Sequence, residues 1–285
     1  MDIIQPIVFG LIQGLTEFLP ISSSGHLVLL PKFLNWTDPG LNFNVALHFG
    51  TLLAVVWYFR KDLLEILTIV KNQKFTPPKA DQSNIGKLKV NKYERGNKDK
   101  SRYNKWIAWL LVTATIPGVL VGYFLNDLAE EVLRSPSIIV FTLTFFGGLL
   151  YWTDKIAKQK RDLKDLNFKD AILIGLAQSV ALIPGTSRSG ITITTGLLLG
   201  LSRTMAARFS FLMSVPIILG AVIYKFPDLL EGEIGSYEIL GILASAVSGY
   251  LAIAGLMKFI NKVSYKVFFW YRIGLAVIVF MFLVR

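Results

Sequence analysis

The sequence predicts an all-α integral membrane protein with six transmembrane helices and two re-entrant helical hairpins, arranged as an inverted-topology internal repeat. Three observations carry this: an apolar composition, a segregation of charge along the chain, and two related Ser/Gly-rich segments inside apolar sequence. Hydrophobic residues make up 53% of the 285 positions and charged residues 17%. With a mean hydropathy of +0.53, this is too apolar for the water-facing surface of a globule of this size. Apolar runs at 43–59, 106–125, 137–152, 209–224, 239–257 and 267–284 approach or reach the roughly 20 residues that cross a hydrocarbon core as helix. Met1–Phe9 carries Asp2 and no basic stretch, and the first apolar run continues into Gln13, Glu17 and Pro20, so no cleavable signal is expected. The absence of cysteine excludes disulfides, thiol nucleophiles and thiolate metal sites.

The formal net charge of +11 does not point to nucleic acid, because it is concentrated in connections between spans. The segment 71–105 holds eleven Lys and Arg against Asp81, Glu94 and Asp99, and contains Pro77-Pro78. It reads as a flexible basic surface loop. The stretches 155–169 and 258–266 are also basic, whereas Asp127, Glu130 and Glu131 mark one intervening connection and Asp228, Glu231, Glu233 and Glu238 another. The positive-inside rule places the basic connections in the cytoplasm and the acidic ones outside. Counting back from 71–105, span 43–59 starts outside, so 1–40 has both ends outside. The segment 169–203 leaves the cytoplasm and returns to it, because Arg203 and Arg208 precede the next outward span. Both segments are therefore expected to be re-entrant, within a single membrane domain over 1–285 whose halves are 1–154 and 155–285.

Each hairpin has an apolar arm, a polar turn and a second apolar arm. In the first, Ile3–Leu19 is helical in pattern, Pro20 interrupts it, Ile21–Gly25 turns, and His26–Leu34 resumes. In the second, Ala171–Ile183 leads to Pro184–Gly190, and Ile191–Leu201 follows. At an offset of 165, Gly10, Leu11, Gln13, Ser22, Ser24 and Gly25 align without gaps on Gly175, Leu176, Gln178, Ser187, Ser189 and Gly190. Phe43 and its span align with Phe209 and its span after a one-residue shift. One hairpin and three spans per half give an odd number of crossings, so the repeats are inverted, with broken helices meeting at a site within the membrane.

Non-helical backbone at membrane depth is tolerated only inside protein or beside a water-filled cavity, so the turns should meet in a polar pocket. Each turn leads into a helix start, where free N–H groups and the positive dipole end favour an anion. Arg188 adds a planar, permanently charged phosphate donor. Small residues alone would equally fit close helix packing and capping, but ionisable groups at this depth are expensive and mark function. Gln13 and Glu17, four residues apart, share a helix face, where together they could hold a hard cation such as Mg²⁺ or Ca²⁺ or orient a base. His26, just past the turn, can relay a proton or attack phosphorus. His48, inside an apolar span, reads as a packing residue.

The run Gln13-Gly-Leu-Thr-Glu17-Phe-Leu-Pro20-Ile-Ser22-Ser23-Ser24-Gly25-His26, with Pro184-Gly185-Thr186-Ser187-Arg188-Ser189-Gly190-Ile191-Thr192, resembles the paired signatures of the bacterial undecaprenyl-diphosphate phosphatases of the bacitracin-resistance type. The resemblance extends over nearly the full length, through Phe209-Ser210-Phe211-Leu212 and Pro216 to Tyr271-Arg272. In that family the position of Gln13 accepts Glu or Gln, so the Gln here leaves a bound metal one charged ligand fewer. The resemblance implies removal of the terminal phosphate from a C55 polyprenyl diphosphate, regenerating the carrier lipid for cell-wall polymers. It also implies a divalent cation, Mg²⁺ or Ca²⁺, on Gln13 and Glu17.

The catalytic set expected from it is Glu17, Ser23, His26 and Arg188, with Ser22, Ser24, Gly25, Ser187, Ser189, Gly190 and Thr192 binding phosphate. Ser23 activated by His26 and Glu17 is the first choice of nucleophile; His26 itself and metal-bound water stay open. The expected partners are the lipid substrate and the membrane, with no nucleic acid and a homodimer left open. The expected location is the bacterial plasma membrane, with the site opening outward. Ser24-Gly25-His26 also matches an element of the phosphatidic-acid-type phosphatases, but the second catalytic His and its Asp partner of that class have no counterpart. The non-enzymatic alternative is a transporter or flippase that binds a lipid phosphate in the same inverted-repeat pocket.

Overall fold

The computed structural model describes residues 2–72, 102–131, 133, 135–231 and 235–284, so 73–101 of the basic loop lies outside the described residues. So do the side chains of Asp127, Glu130, Glu131, Asp228, Glu231 and Glu233 in the acidic connections. The described residues form α-helices with two 3-10 turns and no strand beyond an isolated bridge between Arg161 and Leu201. In order the helices are α1 (Ile4–Phe18), α2 (Ser23–Leu34), α3 (Gly40–Tyr58), α4 (Arg60–Asn72), α5 (Ile107–Glu131) and α6 (Pro136–Ile156). There follow α7 (Phe168–Ser179), α8 (Arg188–Leu198), α9 (Arg203–Glu231), α10 (Ser236–Phe259) and α11 (Lys266–Val284). Five of them, α5, α6, α9, α10 and α11, are long and apolar enough to cross a membrane. The run 43–59 falls almost wholly on α3, 19 residues long. Large apolar side chains point outward along these helices, Phe124 at 74% exposure and Phe141 at 64%, as a lipid-facing surface requires.

Both hairpins differ from expectation at the turn. The second arms begin at Ser23 and Arg188, three residues before His26 and Ile191, because Ser22 and Ser187 act as helix caps. The first arm of the second hairpin leaves α-helical geometry after Ser179 and closes with a 3-10 turn at Val180–Leu182, shortly before Pro184. Helix α4 was not anticipated; it is amphipathic, burying Asp62 and Ile66.

Packing of the first arms is close because glycine faces the partner backbone. A Cβ on Gly10 of α1 would lie 2.4 Å from the Gly241 carbonyl oxygen of α10, and one on Gly175 of α7 would lie 2.5 Å from the Ala114 carbonyl oxygen of α5. Thus α1 packs on α10 and α7 on α5, each hairpin against a helix from the other half of the chain. Buried carboxylates tie neighbouring helices together. Asp154 accepts from Arg203 at 2.5 and 3.0 Å, from Ser264 and from the Tyr265 N–H. Asp62 accepts from Arg208 at 2.5 Å, Arg102 at 2.9 Å and the Tyr103 hydroxyl. Beneath the first turn the buried rings of Phe18, Phe59 and Phe211 stack edge to face and tilted, which fixes the end of α1 against α9.

Candidate active site

The two turns share one local conformation. Ser22 sits at φ 75°, ψ 96° and Ser187 at φ 71°, ψ 114°, both in the left-handed half of the map that is costly for a residue with a Cβ. The conformation aims each serine Oγ back at its helix: Ser22 accepts from the Gly25 N–H at 3.3 Å, and Ser187 from the Gly190 N–H at 3.1 Å. Ser22 Oγ also accepts from the Gly185 N–H at 3.1 Å, so the first turn is bonded directly to the second. Ser189 donates to the Leu19 carbonyl at 3.2 Å, a further link across the junction.

Where the turns meet, the last turn of α1 delivers Glu17, buried, and the first residue of α8 delivers Arg188. Glu17 Oε1 accepts from Arg188 Nη2 at 2.5 Å, and Oε2 accepts from Ser23 Oγ at 2.6 Å and Gln13 Nε2 at 3.1 Å. One carboxylate therefore joins the guanidinium of the second hairpin to the hydroxyl of the first. Charge pairing offsets the cost of withdrawing both ions from water. Ser23 is thus presented with its proton already directed at a base, and its Oγ lies beside a cation suited to phosphate. Glu17, Ser23 and Arg188 line a cavity of about 250 Å³, with Ser24, His48, Gln178, Ser179 and Ser187. The rest of its lining is Gly118, Ala181, Leu182, Ile217, Ile218 and Ala221, from α5, the 3-10 turn and α9.

His26 is not part of this cluster. Its Nδ1 lies 2.6 Å from the Ser22 carbonyl, which requires a proton on that nitrogen, and its Nε2 accepts from the Tyr271 hydroxyl at 2.8 Å, with the two rings stacked. Both ring nitrogens are engaged away from Ser23. The histidine beside Glu17 is His48: its Nδ1 lies 2.7 Å from the Asn44 carbonyl and its Nε2 lies 3.7 Å from Glu17 Oε2. His48 was read from sequence as packing, and the one signal for it was its polarity within an apolar run. Of the expected phosphate ligands, Ser24 and Ser187 line the cavity. The Gly25 and Gly190 N–H groups are taken by the capping serines, and Thr192 is buried with its hydroxyl on the Arg188 carbonyl at 2.8 Å and on Ser210 at 2.7 Å.

For a cation the donor set is small. Among the described residues no three of His, Cys, Asp and Glu cluster. Gln13 turns its nitrogen to Glu17 while its Oε1 is buried without a partner, so a half-turn of the amide would bring an oxygen donor beside the carboxylate. Glu17 and Gln13 therefore fit a hard cation that takes its remaining ligands from phosphate oxygens and water.

A serine, a carboxylate and a guanidinium meeting where two helical turns join, in a cavity with apolar side chains in its wall, define a multi-pass helical membrane protein suited to acting on an amphiphilic phosphate ester. Comparison with known sequences gives the family. The model of the family described as bacitracin resistance protein BacA matches residues 6–278, and the chain belongs to that family. It is 45% identical over 279 residues to the undecaprenyl-diphosphatase of Moorella thermoacetica, covering 98% of this chain and 97% of that protein. It is likewise 45% identical over 281 residues to the undecaprenyl-diphosphatase of Gemmatimonas aurantiaca, with the same coverage of each chain. A third undecaprenyl-diphosphatase, from Desulforudis audaxviator, is 43% identical over 281 residues, 98% of each chain.

Proposed function

We infer that this protein is an undecaprenyl-diphosphate phosphatase, cleaving the terminal phosphate from undecaprenyl diphosphate to return the monophosphate carrier to cell-wall polymer synthesis. The observation that carries the reading is the Ser23–Glu17–Arg188 chain of contacts. Ser23 Oγ attacks the terminal phosphorus while its proton passes to Glu17. The bond from phosphorus to the bridging oxygen breaks, and undecaprenyl phosphate leaves. Glu17 passes its proton to the departing monophosphate; water then attacks the phosphoserine, losing a proton to Glu17, the bond from phosphorus to Ser23 Oγ breaks, Glu17 returns the proton to Oγ, and inorganic phosphate leaves. Arg188 neutralises charge on the equatorial oxygens of the group in flight, where it contributes most. Ser24 and Ser187 offer hydroxyl donors beside it. The apolar side chains of the cavity wall, among them Leu182, Ile217 and Ile218, receive the first isoprene units, the rest of the tail lying in lipid. A divalent cation, Mg²⁺ or Ca²⁺, would rest on Glu17 and Gln13 and add Lewis acidity at the diphosphate.

His26 serves this scheme by holding the Ser22 carbonyl and Tyr271, and therefore the shape of the first turn, rather than as the base for Ser23. The membrane frame we propose is six spans, α3 being the sixth, with α1–α2 and α7–α8 as re-entrant hairpins of an inverted repeat whose halves are 1–154 and 155–285. Its support is the matched conformation of Ser22 and Ser187 at the aligned positions and the matched glycine contacts of Gly10 and Gly175. The protein is placed in the bacterial plasma membrane with the site opening outward, on the charge pattern of the connections. A transporter would need the guanidinium but no serine presented to a carboxylate. Purified protein incubated with undecaprenyl diphosphate separates the two: conversion to the monophosphate with release of inorganic phosphate supports hydrolysis, and binding without release overturns it.

A further inference from the structure

Arg272 of α11 has no place in the chemistry above, yet it is a fully buried arginine, 0% exposed. Its Nε donates to the Pro20 carbonyl at 2.7 Å and its Nη2 to the Thr186 carbonyl at 3.2 Å. Pro20 belongs to the first turn and Thr186 to the second, so one guanidinium bonds both. Its Nη1 is buried without a partner, and among the described residues no carboxylate is paired with it. The slot it occupies exists because glycine lines it on two sides. A Cβ on Gly190 of α8 would lie 2.6 Å from Nη2, and one on Gly147 of α6 would lie 2.9 Å from Cδ.

The electrostatics of this arrangement are incomplete. A buried guanidinium without an anion is expensive at membrane depth, and two carbonyl dipoles offset only part of the cost. Its neighbour Gly190 lies in the first turn of α8, the positive end of that helix dipole, so the local field has the same sign as the guanidinium. Glu17 does not relieve it, since both of its oxygens are engaged by Arg188, Ser23 and Gln13. The phosphate groups of a bound substrate would supply the missing counter-charge, because the two turns that Arg272 bonds are those that carry Ser23 and Arg188.

We propose that Arg272 is a positioning residue for the phosphatase reaction: it fixes the two turns relative to each other, and its uncompensated charge, held against the carbonyls of both turns, strengthens binding of the substrate's phosphate groups. The proposal rests on the phosphatase reading. The two parts separate by substitution. Arg272→Met keeps length and removes charge; Arg272→Lys keeps charge and loses the fork that spans both carbonyls.

The test measures turnover of undecaprenyl diphosphate and its inhibition by inorganic phosphate on purified, folded protein, with wild type alongside. Arg272→Met should raise the inhibition constant for phosphate by about tenfold, as expected for loss of one nearby charge in a medium of reduced dielectric. Arg272→Lys should leave that constant within about threefold of wild type while kcat falls at least as far as in a charge-preserving loss of bidentate geometry, about tenfold. Gly147→Ala is the companion variant, since it displaces the guanidinium without removing its charge and should lower kcat with folded protein still recovered. An unchanged phosphate constant in Arg272→Met, or equal constants and equal kcat in Gly147→Ala and wild type, overturns the proposal. Absence of phosphate release by the wild type instead overturns the phosphatase reading, so the two failures are distinguishable.

Discussion

Replacing Glu17 by glutamine changes one atom and tests how the site is wired. Glu17 Oε1 faces Arg188 Nη2 at 2.5 Å, while Oε2 accepts from Ser23 at 2.6 Å and Gln13 at 3.1 Å. A glutamine offers one oxygen and one NH₂. With its oxygen toward Arg188, its nitrogen meets Gln13 Nε2 donor against donor, and the Ser23 proton has no acceptor. With its oxygen toward Ser23, the NH₂ confronts the guanidinium. In neither rotamer does the serine keep both a base and a neighbouring, aligned arginine. Loss of a general base alone lowers turnover by about 10²–10⁴, which is roughly 2.7–5.4 kcal/mol of barrier. Phosphate release from undecaprenyl diphosphate in detergent, normalised to folded protein by circular dichroism, reads the effect in kcat. A kcat for Glu17→Gln within about threefold of wild type, under 1 kcal/mol, would refute Glu17 as the base.

Three further outcomes are expected. Asp154→Ala leaves the Arg203 guanidinium, the Ser264 hydroxyl and the Tyr265 N–H without their shared acceptor, and removing one partner of such a pair costs about 3–5 kcal/mol. A lower Tm in detergent should follow, and an unchanged Tm contradicts the assignment. Chelation should abolish phosphate release, with Mg²⁺ or Ca²⁺ restoring it; full activity in chelator removes the cation from Glu17 and Gln13. Because the sequence has no cysteine, a single Ser23→Cys substitution reports sidedness cleanly: a membrane-impermeant maleimide should label it from outside the cell, and labelling confined to the cytoplasmic side reverses the topology.

What the sequence disclosed follows the range of the forces involved. The turns were legible because Pro20, Pro184 and the Ser/Gly runs are local breaks in apolar sequence, whereas the capping by Ser22 and Ser187, which starts the second arms three residues earlier than expected, was not. Gln13 and Glu17 were legible as a pair because four residues is one helical turn. The meeting of Glu17 with Arg188, 171 positions apart, was expected only from the alignment of the two Ser/Gly-rich turns, which an inverted repeat would bring together. His48 was not, since nothing in the spacing of 17 and 48 records that α3 and α1 pack side by side on α10 through Gly50 and Gly10. The orientation of His26 was hidden for the same reason: its partner Tyr271 lies 245 residues away on α11. Thr192, in a motif that resembled a phosphate ligand, proved to face Ser210 of α9, a contact set by helix packing rather than by the motif.

The central claim is that Ser23, Glu17 and Arg188, drawn from two hairpins, form one phosphoryl-transfer site. A rapidly quenched single turnover of undecaprenyl diphosphate labelled in its terminal phosphate tests it most directly. Label should appear transiently on the peptide carrying Ser23 in wild type, with no labelled peptide and no phosphate release in Ser23→Ala. Release of labelled phosphate by Ser23→Ala at the wild-type rate would contradict it.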